Sequence, residues 1–281
     1  IMSKKGEVDL LNAVIDFSDQ EVIPDPSEIE KAAVLLGNAE NPAIFSGGGV
    51  YGAEEALFEL AKEIQAPVIM SQNGQGVVDQ RHYLGQNQVA GQEMWKNFDV
   101  VLAVGTRFHP PMLMWEGYEE KKLIRIDTDS RRETDLWVAD VHITATAKTS
   151  LAGIYDKIGQ HNRKRASREE EFNIYKQAAV KKFSQGQPQA SYGEVIRSVL
   201  PEDGIACFGV TQMGFYSWFG FPTYFPRTNI QPGFQGTLGY AFPTGLGAQV
   251  ANPGKKVVAI TGDGGFMFNV QEMATAVLHK I

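Results

Sequence analysis

The chain has 281 residues, enough for about two domains at ~150 residues each, and its 43% hydrophobic and 21% charged content excludes a disordered or collagen-like chain. A net charge of −7 with no basic run argues against nucleic acid as a partner, and no apolar stretch is long enough to span a membrane. The single cysteine, Cys207, excludes an internal disulfide, and Ile1-Met2-Ser3-Lys4-Lys5 lacks a signal-peptide apolar run, so a reduced, cytoplasmic setting is expected.

Residues 1–26 read as a strand remnant over 7–17 and a linker, in which Pro24 and Pro26 bracket Asp25 and forbid a continuing helix. Ser27 opens a helix with a capping box, Ser27-x-x-Glu30, and with Ile29, Ala32, Ala33 and Leu36 on one face. Short apolar runs then alternate with helical patterns. Strands are expected over 42–45, 67–70, 98–104, 123–126 and 141–145, and helices over 53–65 and 151–158. This alternation predicts βα units on a parallel sheet, one α/β domain over 27–160. Residues 161–187 carry Arg163-Lys164-Arg165, Glu169-Glu170-Glu171 and Lys181-Lys182, and read as a solvated connecting helix.

A second α/β unit is expected over 188–281. It comprises a helix over 191–200, capped by Ser191 with Glu194 at the capping-box spacing, and a strand over 204–208. A small-residue helix over 238–250, a buried strand over 256–261 and a helix from about Asn269 follow. These few strands do not close a sheet alone, so the stretch reads as an incomplete domain of a longer chain. The fold class is α/β, with two parallel-sheet, three-layer units.

Gly47-Gly48-Gly49-Val50-Tyr51-Gly52 fits G-x-G-x-x-G between a strand and a helix, but the next strand ends in the neutral Ser71-Gln72-Asn73, where a dinucleotide site wants an acid. A tight turn packed near a loop, or a degenerate flavin or nucleotide site, accounts for it better. There is no P-loop and no G-x-S-x-G elbow, and His82, His109, His142, His161 and His279 are scattered without zinc-site spacing. The strongest signal is Gly262-Asp263-Gly264-Gly265 after an apolar strand. A carboxylate at the carboxyl edge of such a sheet can hold a hard divalent cation, and the flanking glycines let backbone approach a phosphate. A helix-capping aspartate is the plain alternative. Val210-Thr211-Gln212 and Gly233-Phe234-Gln235-Gly236-Thr237-Leu238-Gly239 add two more strand-to-helix turns that a diphosphate could touch.

These segments resemble the thiamine diphosphate (ThDP) enzymes of the acetolactate synthase and benzoylformate decarboxylase group. Gly262-Asp263-Gly264-Gly265 is similar to the start of the family's ThDP signature, and Gly236-Thr237-Leu238-Gly239-Tyr240-Ala241-Phe242-Pro243 to its glycine-rich turn. Ala43 to Gly49, Val104-Gly105-Thr106-Arg107-Phe108 and Ile124-Arg125-Ile126-Asp127 resemble landmarks of the family's central, nucleotide-binding-like domain. The resemblance covers nearly the whole chain from about Pro24.

The resemblance implies roles for particular residues. Asp263 is a Mg²⁺ ligand, with Gly262, Gly264 and Gly265 at the diphosphate. Val210, Thr211 and Gln212 touch the diphosphate from the other side. Gly236 and Leu238 hold the aminopyrimidine through main chain, with Thr237 between them, and the Leu238 side chain props the cofactor into its bent form. The reaction implied is decarboxylation of a small 2-keto acid, followed by condensation with a second carbonyl or by protonation, in a homodimer or homotetramer. The family's catalytic glutamate belongs to an amino-terminal domain preceding this stretch, and the second Mg²⁺ side-chain ligand, an Asn, falls shortly beyond Ile281. These 281 residues alone are therefore expected to be inactive. The synthases also bind FAD with a Gly-Asp where this chain reads Thr144-Ala145-Thr146-Ala147-Lys148, a departure that speaks against FAD. His109-Pro110-Pro111-Met112 replaces the synthases' acidic pattern, and His109 is either turned to substrate or a surface histidine. Three readings follow: an acetolactate synthase-like carboligase, a non-oxidative decarboxylase of the benzoylformate type, or a non-catalytic nucleotide-binding module built on Gly47–Gly52.

Overall fold

The computed structural model describes residues 22–130 and 137–281, and the strand expected over 7–17 lies outside them. The apolar runs of the first half form a six-stranded parallel sheet. Its strands are β1 (Pro42–Ser46), β2 (Val68–Met70), β3 (Gly85–Asn87), β4 (Val100–Val104), β5 (Lys122–Asp127) and β6 (Val141–Thr144), in the order β3-β2-β1-β4-β5-β6. Every residue of β1 and β4 is buried, because helices cover both faces of the sheet centre; this is why those strands, Ser46 at the end of β1 apart, are apolar instead of alternating. Helix α1 (Pro26–Asn38) packs on α5 (Ala147–Ile158), and α5 on α2 (Glu54–Ile64). Helix α3 (Gln88–Met94) packs on α6 (Glu169–Phe183) beside β2 and β3. A short helix, α4 (His109–Met114), follows β4.

Several local expectations are corrected. The capping box at Ser27 does not form. Asp25 is the N-cap and its carboxylate accepts from the Ser27 amide at 2.8 Å, which holds that carboxyl below its usual range. Pro26 takes the first helical position, where its missing N–H costs nothing. Glu30 is thereby free to share a 2.6 Å hydrogen bond with His161. Helix α6 is not solvated all round: Phe172 and Ala179 are buried in the same core as the six-stranded sheet, and most of the charges, Lys176 apart, lie away from it.

The second unit contains α7 (Gln189–Val199), β7 (Ile205–Phe208), α8 (Gln212–Ser217), β8 (Asn229–Ile230), α9 (Ala241–Ala251), β9 (Val257–Ile260), α10 (Asp263–Met267) and α11 (Glu272–His279). Its three strands are parallel, in the order β8-β7-β9. Ser191 caps nothing: α7 starts two residues earlier, and the Ser191 hydroxyl donates to Gln187 Oε1 at 2.7 Å. The strand expected to be buried, β9, is half-buried at all four positions: among the described residues it pairs with β7 alone, at one edge of the three strands.

Candidate cofactor site

The register of β7 against β9 sets Phe208 beside Ile260, so both strands end at one edge. The Gly209 amide donates to Ile260 O at 2.8 Å, and from there the two chains leave as adjacent turns. A Cβ built on Gly262 would lie 3.4 Å from Thr211 Cγ2, so the Val210–Gln212 and Gly262–Gly265 turns touch. One built on Gly265 would lie 3.9 Å from the Gly239 amide nitrogen, which brings in the third turn. Asn269 closes the set: its Nδ2 donates to Gly239 O at 2.7 Å. Gly239 itself has φ +78, and any side chain there would collide with the Asn269 amide at 2.5 Å.

The three segments singled out in the sequence therefore meet at the carboxyl edge of β7 and β9. Thr211 is the N-cap of α8, its hydroxyl accepting from the Gly214 amide at 3.0 Å. Gln212 is exposed and its Oε1 accepts from Gln189 Nε2. Thr237 is exposed, and Leu238 is 48% exposed and belongs to no core cluster, so core packing does not explain its bulk. Asp263 opens α10 with its carboxylate exposed and free of any hydrogen bond among the described residues. Cβ atoms at Gly236 and Gly264 would meet nothing within 4 Å, leaving bare backbone in front of open space. A cavity of about 190 Å³, with Gly209, Val210, Phe215, Trp218, Gln231 and Gly236 on its wall, lies against the first and third turns; Asp263 stands outside it. Cys207, on β7, is buried and its thiol is pushed up to about 12, so it takes no part in nucleophilic chemistry.

A larger crevice, of about 630 Å³, opens at the other sheet, where the chain order reverses between β1 and β4. It is lined by Gly47–Gly49, Asn73, Arg107, His109 and Trp115, among others, and by Trp218 and Gly233 of the second unit. Trp218 and Gly233 also line the smaller cavity, so the two spaces adjoin. His109 is partly buried on the crevice wall. The glycine fingerprint has a packing explanation: a Cβ on Gly47 would sit 2.2 Å from Gly105 O, and one on Gly49 2.7 Å from Gly105 Cα. The turns after β1 and β4 simply press together.

Residues 29–154 match the model of the thiamine pyrophosphate enzyme central domain, and residues 209–281 match that of the thiamine pyrophosphate enzyme C-terminal TPP binding domain. The chain belongs to the thiamine pyrophosphate enzyme family. The family's C-terminal match begins at Gly209, where the converging turns begin. The chain is 29% identical over 266 residues to a probable 2-ketoarginine decarboxylase of Pseudomonas aeruginosa, covering 90% of this chain and 46% of that protein. It is 30% identical over 296 residues to a probable acetolactate synthase large subunit of Methanocaldococcus jannaschii (96% and 50%). It is 26% identical over 294 residues to the acetolactate synthase isozyme 1 large subunit of Escherichia coli (95% and 51%). The chain thus spans about half the length of the curated relatives it matches. No helix among the described residues is long and apolar enough to cross a membrane.

Asn269 and Trp218 are not among the expected site residues. Asn269 reads only as the start of a helix and carries no local mark of its contact with Gly239, 30 residues earlier.

Proposed function

We propose that the three turns hold the diphosphate of ThDP together with Mg²⁺, and that the whole protein decarboxylates a 2-keto acid and joins the product to a second carbonyl, as an acetolactate synthase does. The observation that carries this reading is the meeting of Val210–Gln212, Gly236–Gly239 and Gly262–Gly265 at one sheet edge, where the Asp263 side chain is exposed. The residues suit the group. Asp263 is an exposed carboxylate, a hard oxygen donor of the kind Mg²⁺ takes, and no side chain at Gly236 or Gly264 stands between backbone and an anion. Asp263 would ligate Mg²⁺; Gly262, Gly264 and Gly265, and Val210, Thr211 and Gln212, would face the diphosphate. Main chain at Gly236 and Leu238, with Thr237 between, would meet the pyrimidine. When bound, ThDP supplies the carbon nucleophile and electron sink of the reaction. The Leu238 side chain would prop the cofactor's bend.

Calorimetry on the complete protein tests this. ThDP with Mg²⁺ binds the wild type, and Asp263→Ala removes measurable Mg²⁺-dependent binding, because a hard cation loses its charged ligand. An unchanged affinity in that variant would falsify the assignment.

A second reading, simple decarboxylation, is supported by the ketoarginine decarboxylase relative and by the His109-Pro110-Pro111-Met112 segment, acidic in the synthases, whose His109 and Pro110 line the crevice. Incubation with pyruvate or 2-ketoarginine separates the two: an acetolactate-type product marks the carboligase, a plain aldehyde the lyase. The subordinate expectation is FAD or another nucleotide in the crevice. Its volume and its place at the switch point support this, while the Thr144–Lys148 stretch without Gly-Asp stands against it; flavin absorbance of the purified complete protein decides. We also propose a cytoplasmic homodimer or homotetramer. Support for the reduced setting comes from Cys207, the one cysteine of these 281 residues, which is buried. Sedimentation of the complete protein measures the assembly.

A further inference from the structure

After β2 the six-stranded unit sends a loop into the three-stranded one, and Gln75 at its tip is 4% exposed. All the hydrogen-bonding partners of its amide belong to the second unit. Nε2 donates to Ser217 O at 3.1 Å and to Trp218 O at 2.7 Å, at the end of α8. Oε1 accepts from Thr223 Oγ1 at 3.2 Å and from Asn229 Nδ2, on β8, at 2.7 Å. The chain of contacts continues to Gln231, whose Nε2 donates to Ser217 Oγ and to Asn229 Oδ1, both at 3.0 Å. Gln231 is the residue from which the turn carrying Gly236 and Leu238 departs.

The structure assigns Gln75 as a positioning residue: through Ser217, Asn229 and Gln231 it holds the end of α8 and the start of the Gln231–Gly239 turn at a fixed separation. The assignment rests on the ThDP reading for its meaning, since those two elements flank the proposed pyrimidine and diphosphate contacts. A buried amide with four partners has one orientation, and each partner it abandons is itself desolvated, so the arrangement is stiff in a way that surface contacts are not. Other contacts dock the same two units without touching the side-chain hydrogen bonds that lead to the turn: Gln80 meets Thr223 at its backbone only. Gln80 Oε1 accepts from the Thr223 amide at 3.1 Å, and Arg81 pairs with Glu202 at 2.7 Å. Gln80 is therefore the control for docking alone.

The test uses the complete protein with Gln75→Met, which keeps the volume and removes the amide, against Gln80→Ala. In the cofactor-free protein, hydrogen exchange over residues 231–239 is expected to quicken about tenfold in Gln75→Met and to stay at the wild-type rate in Gln80→Ala. The ThDP dissociation constant, read by calorimetry with Mg²⁺, is expected to rise about tenfold in Gln75→Met only. Exchange over 231–239 that is unchanged, or that quickens equally across both units or equally in Gln80→Ala, overturns the assignment. A wild type that binds no ThDP instead overturns the reading of the site, and the exchange measurement still judges Gln75. If Gln75→Met does not fold, Gln75→Asn, an amide one methylene short of its four partners, gives the same two readings.

Discussion

Leu238 takes its meaning from its place. A single exposed leucine is ordinary, but this one, 48% exposed, sits on the turn between Gly236 and Gly239 that meets the Gly262–Gly265 turn. On the ThDP reading it shapes the cofactor instead of gripping it. Leu238→Ala is therefore expected to cut turnover by about tenfold or more, the scale on which misorientation costs rate, while ThDP affinity falls much less. Equal losses in the two would place Leu238 in binding alone. Thr211 shows the reverse case. Its hydroxyl already caps α8, so only its backbone and methyl face the neighbouring turn, and its sequence signal as a polar site residue is partly a helix-start signal.

At the scale of elements, α6 shows where charge counting goes astray. Its glutamates and lysines are real surface, yet Phe172 and Ala179 lie on the covered face, and Lys176 is drawn under as well. The Lys176 ammonium donates to Gln80 O at 2.7 Å and His82 O at 2.5 Å, while burial pushes its pKa from 10.5 down to about 8. Between those two values the unfolded chain binds more protons than the folded one, so this group makes stability rise with pH across that window. The stability of the wild type relative to Lys176→Met is expected to climb as pH goes from about 8 toward 10.5, followed by thermal melts; a flat difference would show that burial is not depressing this amine. Strands β2 and β4 were legible because each is buried throughout and reads as an unbroken apolar run, and β6 because Val141 and Ile143 alternate with His142 and Thr144. The short edge strand β3, Gly85–Asn87, was not: it has no apolar residue, and pairing with β2 alone makes it a strand.

For the whole molecule, the decisive feature is how the two units dock. The loop that carries Gln75 continues into Gly76, with φ +82, where a Cβ would fall 2.1 Å from Phe225 O of the other unit. Gly117 has a similar φ, +75, with nothing within 4 Å of its Cβ position. Gly117→Ala pays the left-handed backbone penalty only, about 1 kcal/mol. Gly76→Ala adds a backbone collision at the interface and is expected to lose about 2 kcal/mol or more in denaturant unfolding. Matching losses at the two positions would mean the units are not held at that distance.

The sequence by itself determined the α/β class, the parallel sheets and the three turns that meet at one edge, because period, apolar runs and glycine punctuation are local properties of the chain. It did not show that Gln75 reaches Asn229, that Asn269 closes on Gly239, or that the fingerprint glycines at 47 and 49 serve the Gly105 turn. Those are contacts between residues far apart in the chain. Polar residues such as these look alike in a sequence whether they end in water or at the centre of an interface, and only the packing of one unit on the other removes the water and makes each hydrogen bond count.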